Sequence, residues 1–136
     1  MNESYTKNLT EFFERLSSWE DGIVRDTGIS LPQMHLIEVV GNHEALRMKD
    51  LADKLGVTTG TLTVMIDRLS RKGYVERLRD DMDRRSYFIT LTDPGREHYR
   101  NHHRMHDGLI ADICDLLGES ESERFFAQLH LIQSIL

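Results

Sequence analysis

Leu51-Ala52-Asp53-Lys54-Leu55-Gly56-Val57-Thr58-Thr59-Gly60-Thr61-Leu62 reads as a short helix, a tight turn and the start of a second helix. Met48, Leu51, Ala52 and Leu55 fall on one face of a helix running from about Met48 to Leu55, which Gly56 ends. Thr58 or Thr59 caps the next helix, whose inward residues are Leu62, Met65 or Ile66, and Leu69, and which Gly73 closes. Ala52 and Gly56 lie where two helices approach closely and where the turn needs a small or left-handed residue. The pattern is that of a helix-turn-helix.

Outward from it the period changes. Tyr74–Arg79 and Ser86–Leu91 are rich in strand formers, and Asp80–Arg85 between them is polar except for Met82. This is a hairpin with a charged tip, a wing. Thr92 caps a further helix that tolerates Pro94 in its first turn and runs to about Leu117. Gly118-Glu119-Ser120 breaks it, and a last helix carries Phe125, Phe126, Leu129, Ile132 and Leu136. On the other side, Leu9, Phe12, Phe13, Leu16, Trp19 and Ile23 form an amphipathic helix over 9–23. Ser30 and Gln33 form a capping box for a helix through Val40 that stops at Gly41-Asn42.

The expected fold is mostly α with a small β-hairpin wing: one domain over 1–136, with a winged helix-turn-helix lobe at 31–92. Residues 1–28 and 93–136 form a helical dimerisation region, because the terminal helices hold more apolar surface than so small a core covers. No apolar run is long enough to span a bilayer, and the polar start Met1-Asn2-Glu3-Ser4 reads as no signal peptide. The single cysteine, Cys114, makes no internal disulfide, so a cytoplasmic protein with a buried, inert thiol is expected.

The net charge of −6 argues at first against a nucleic-acid partner. Taken by segment, residues 47–96 carry a local +3 and the remainder −9. Arg68, Arg71, Lys72, Arg77, Arg79, Arg84 and Arg85 face only four acids between 68 and 85. The second helix of the motif presents Thr58, Thr59, Gly60, Thr61, Thr63, Val64, Asp67 and Arg68, suited to phosphates, base edges and thymine methyls in a major groove. Asp83-Arg84-Arg85 at the wing tip suits a minor groove. The competing reading is a winged-helix protein-interaction module, which needs no arginine on its wing. No Ser-His-Asp order, phosphate-cradling glycine loop or carboxylate pair supports an enzyme.

Residues 51–58, Thr63–Leu69, Lys72-Gly73-Tyr74-Val75-Glu76-Arg77, and Asp83-x-Arg85 through Leu91-Thr92 resemble the MarR family of winged helix-turn-helix regulators. The resemblance implies a homodimer that binds a palindromic operator in double-stranded DNA and usually represses. It also implies that Arg85 enters the minor groove and Asp83 shapes the wing. Met34-His35, Gly41, Val57-Thr58-x-Gly60-Thr61 and Arg71-Lys72-Gly73-Tyr74 are similar to its fatty-acid-synthesis repressor (FabT-like) branch. That branch implies control by long-chain acyl groups on acyl carrier protein, with the chain in an apolar pocket among the first, second and fifth helices.

Histidine is abundant, seven in all, and His98, His102 and His106 share one helical face. Imidazoles at i, i+4 suit zinc. His35, His102 and His106 match one metal site of the zinc-responsive (AdcR-like) branch, which implies a completing acid at Glu20 or Asp21. The second site of that branch is not matched, since its acids fall at Met34 and Asn101. The other reading of these histidines is structural or ligand-gating hydrogen bonding, with no cofactor.

Overall fold

Leu62, Ile66 and Leu69 recur at helical spacing, and in the computed structural model of the protein, which describes residues 2–136, all three are fully buried. They lie on α4 (Thr59–Arg71), which follows α3 (Met48–Leu55) across the predicted turn. Gly56 there takes φ 65°, a left-handed conformation that costs any residue with a Cβ. Its N–H bonds back to Asp53 O, and Val57 N–H to Ala52 O, so the turn satisfies the end of α3. Thr58, not Thr59, is the N-cap of α4: its hydroxyl accepts the Thr61 N–H.

The wing is present as β2 (Val75–Arg79) and β3 (Tyr87–Leu91), antiparallel from Val75↔Leu91 to Arg79↔Tyr87. A strand with no sequence signature, β1 (Ala45–Arg47), pairs with β3 from Ala45↔Thr90 to Arg47↔Phe88. The sheet order is β1-β3-β2. Three residues are too few for a period of two to be legible. The strand begins after Glu44, whose φ of 64° strains a non-glycine residue and whose carbonyl accepts the Thr90 hydroxyl.

The chain divides into two compact units, Met1–Arg100 and Asn101–Leu136. The first holds α1 (Glu3–Val24), α2 (Leu31–His43), the helix-turn-helix and the sheet. Its core is built from Val24, Leu36, Ile37, Val40, Leu51, Leu62, Ile66, Leu69, Val75, Ile89 and Leu91, among others. The capping box of α2 is formed reciprocally by Ser30 and Gln33. In this unit two helix limits differ from the sequence reading. α1 starts at Glu3 rather than near Leu9, with Asn2 as cap, and α2 passes Gly41-Asn42 to end at His43. Leu9, Phe12 and Phe13 of α1 are exposed.

α5 (Asp93–Leu117) begins in the first unit and continues into the second, which is completed by α6 (Glu119–Gln133). Leu136 lies beyond α6. Cys114 is half-buried, contrary to the expected buried thiol, because it faces an open groove between α5 and α6 with Ser122 and Phe126. Among the described residues no helix is long and apolar enough to cross a membrane.

The start of α5 is set against the sheet. Thr92 N–H donates to Tyr74 O, and the Thr92 hydroxyl accepts the Gly95 N–H. A Cβ at Gly95 would sit 2.0 Å from Tyr74 O. Backbone cannot yield as a flexible side chain can, so Gly95→Ala is expected to destabilise the protein by about 2 kcal/mol in urea unfolding. An unchanged midpoint would show that α5 is not held there.

Candidate nucleic-acid interface

The cap at Thr58 starts α4, and Thr59, Gly60 and Thr61 at its beginning are open to solvent. Thr58, Thr59, Gly60, Thr61, Thr63, Val64 and Arg68 are all exposed, while Leu62, Ile66 and Leu69 point into the core. The seven therefore share the outward side of one helix, Val64 among them at 50% exposure. Their hydroxyls are not equivalent. Thr58 donates to Thr61 Oγ1 and caps the helix, and Thr63 donates to Thr59 O at 2.8 Å. Thr59 and Thr61 keep hydroxyl protons for an outside acceptor, and the N-terminal amides of α4 add donors aimed at an anion.

The wing tip is shaped by its own acids. Asp83 Oδ1 accepts the Arg85 N–H at 3.0 Å, and Ser86 N–H donates to Asp83 O. This local turn fixes the backbone beneath Arg84 and Arg85. Both arginines are exposed, and no ion pair is formed by either among the described residues. An unpaired guanidinium on a polar projection is suited to a phosphate or a narrow, electronegative groove.

Three cations of the basic segment have other employment. Lys72 Nζ donates to Gly28 O at 2.7 Å and to Gln33 Oε1 at 3.3 Å, tying the end of α4 to the loop before α2. Arg77 pairs with Asp67, joining β2 to α4 and removing Asp67 from the free face of the helix. Arg47 pairs with Asp80 at 2.7 Å. Sequence spacing counted Lys72, Arg77 and Asp67 toward the nucleic-acid face and did not single out Arg47 or Asp80. A cation and an acid far apart in the chain carry no signal of pairing until the fold brings them together.

The remaining candidates lie elsewhere. His35 Nδ1 is 3.8 Å from Glu38 Oε2, and both line an open groove of about 470 Å³ with Glu20, Leu31 and Pro32 in the first unit. In the second unit, buried His102 and half-buried His106 face one another along α5 with their Nε2 atoms 3.1 Å apart. In the first unit His98 stacks edge-on against Tyr74, with ring centroids 4.6 Å apart, a packing role.

Comparison with known proteins bears on the family and the fold. The model of the MarR family matches residues 29–87. An uncharacterized HTH-type transcriptional regulator of Bacillus subtilis, YfiV, is 28% identical over 108 residues, covering 79% of this chain and 68% of the relative. The crystal structure of Streptococcus pneumoniae FabT in complex with DNA superposes with a TM-score of 0.90 at 31% identity, covering 98% of this chain and 95% of that one. A Staphylococcus aureus MepR mutant bound to an oligodeoxyribonucleotide shares the fold, with a TM-score of 0.72 at 23% identity and 96% of each chain covered.

The internal ties separate structural cations from free ones. Lys72→Met is expected to lower stability by less than about 1 kcal/mol. It should leave the slope of log affinity against log salt for duplex DNA unchanged. A shallower slope in that variant would return Lys72 to the interface.

Proposed function

Because the chain belongs to the MarR family, and so is a DNA-binding transcriptional regulator and not an enzyme, we propose that it is a homodimeric, cytoplasmic repressor. Residues 31–92 serve as its DNA-binding lobe, and 1–28 with 93–136 as its dimerisation region. The observation that carries this reading is the exposed outward side of α4 beside an unpaired Arg84-Arg85 wing, both built on one buried core.

Each subunit lays α4 in a major groove, with Thr58, Thr59, Gly60, Thr61, Thr63, Val64 and Arg68 toward the DNA. Thr58 contributes through the helix terminus it caps. The wing sends Arg84 and Arg85 to the neighbouring minor groove, with Asp83 holding the turn beneath them. Two subunits then read half-sites about one helical turn apart. The exposed apolar faces support dimerisation: Leu9, Phe12 and Phe13 on α1, and Leu131 and Ile132 on α6.

Control comes from a ligand that binds one spacing of the two α4 helices better than another. The likeness to FabT supports fatty-acid synthesis genes as targets and an acyl chain, free or on its carrier protein, as effector. The groove beside Leu31, Pro32 and His35 is its candidate site. A second reading, zinc control, is favoured by one distance: His102 and His106 Nε2 are 3.1 Å apart. Two nitrogens on one tetrahedral zinc lie about 3.3 Å apart, so this pair fits two ligands of such a site. It fits equally a hydrogen bond from one imidazole to the other. Equilibrium dialysis separates the two: zinc retention lost in His106→Gln supports the metal, and no retention by the unaltered chain removes it.

Selection of duplexes from a random pool, followed by binding at several salt concentrations, tests the main reading. The selected DNA should be palindromic, and Arg85→Ala should flatten the salt slope by about one unit. If no duplex binds at low salt, the regulator reading fails. The complex should contain two chains of 15.9 kDa by native mass spectrometry.

A further inference from the structure

Asp80 is a buried acid at the root of an exposed wing tip. Only 5% of it is exposed, whereas every residue from Asp81 to Arg85 is open to solvent. A buried carboxylate needs a partner, because its lost hydration is not otherwise replaced. Its ionic partner among the described residues is Arg47, whose Nη2 lies 2.7 Å from Asp80 Oδ2. The same guanidinium donates from Nη1 to Ser86 Oγ at 3.2 Å and lies 4.9 Å above the Phe88 ring. Arg47 thus crosses β3 from β1 and grips both sides of the hairpin just beyond its last ladder pair, Arg79↔Tyr87.

Arg47 is also the last residue of β1 and the N-cap position of α3. It therefore joins the first helix of the helix-turn-helix to the root of the wing. The other hydrogen bonds of this segment stay within it: Asp80 N–H to Ser86 O, Met82 N–H to Asp80 Oδ1 at 2.9 Å, and Arg85 N–H to Asp83 Oδ1. Among the described residues, the polar contacts of residues 80–86 that leave the hairpin run to Arg47 alone.

We propose that Arg47 is a positioning residue for DNA binding, a latch that holds the wing at a fixed angle to the helix-turn-helix through Asp80 and Ser86. A wing and a recognition helix that must enter adjacent grooves together lose affinity when their relative placement is free, because binding must then order it. Arg47 removes that cost in advance and need not touch DNA. The proposal rests on the reading of the wing as a DNA contact.

The test uses the full chain and a duplex selected by the unaltered protein from a random pool. Arg47→Met should weaken binding about tenfold, and Arg85→Ala should do the same. The double variant should bind less than about threefold worse than the poorer single, since Arg47 acts through the wing. Losses that multiply, with a further flattening of the salt slope, would make Arg47 an independent phosphate contact and overturn the proposal. In the free protein, Arg47→Met should speed amide exchange at Met82 and Arg85 about tenfold while Ile66 and Leu69 stay protected. Unchanged exchange at Met82 and Arg85 overturns the latch whatever the DNA result. If Arg85→Ala binds like the unaltered chain, the wing reading fails, and exchange still decides the latch. Should Arg47→Met lack a cooperative melt, Arg47→Lys replaces it: it keeps the charge but loses the two-sided grip, so exchange at the same amides must still rise.

Discussion

The molecule depends on a single packing constraint: the inward side of α4 and the inward side of the sheet share one core. Leu62, Ile66 and Leu69 meet Val75, Ile89 and Leu91 within a cluster that also takes in Leu36, Ile37 and Val40 of α2. Side chains in such a core sit at near-crystalline density, so the elements that carry them cannot move separately at low cost. The outward side of α4 and the base of the wing are thereby parts of one rigid body, because their apolar backs are joined. The exposed tip beyond Arg79 and Tyr87 adds nothing to that core, and its placement falls to the contacts of Arg47.

Electrostatics follows from that arrangement. The local +3 between residues 47 and 96 is not spread evenly over the surface. Lys72 holds the loop before α2, Arg77 holds Asp67 and Arg47 holds Asp80. What remains free near α4 is a small set, Arg68, Arg84 and Arg85 among them. On the proposed reading, a small set of free cations in a chain of net charge −6 favours binding that needs both grooves at once over adhesion to any polyanion. In the proposed dimer, the exposed apolar residues of α1 and α6 join two such lobes, and two lobes held together bind more selectively than one.

Much of the fold was legible because it rests on local rules. The Ser30-Gln33 capping box, the left-handed Gly56, the closing Gly73 and the change from helical to alternating period at Tyr74 each act within a few residues. The outward residues of α4 were legible for the same reason, since helical spacing separates Leu62, Ile66 and Leu69 from Thr59, Thr61 and Val64. β1 was not legible. Three residues hold no period, and Ala45–Arg47 become a strand only because β3 offers them a ladder. Arg47, Asp80, Lys72 and Asp67 were likewise out of reach, because each finds its partner 10 to 44 residues away.

The sequence by itself determined the order of helices, the turn, the hairpin and which residues of α4 and the wing tip face outward, because backbone propensity and side-chain period are local. The tertiary structure decided which charges are free and which are consumed. It made Thr58 a cap, Lys72 a tether and Arg47 a clasp on the wing. Ion pairing depends on distance through space and on burial, and neither is written along the chain.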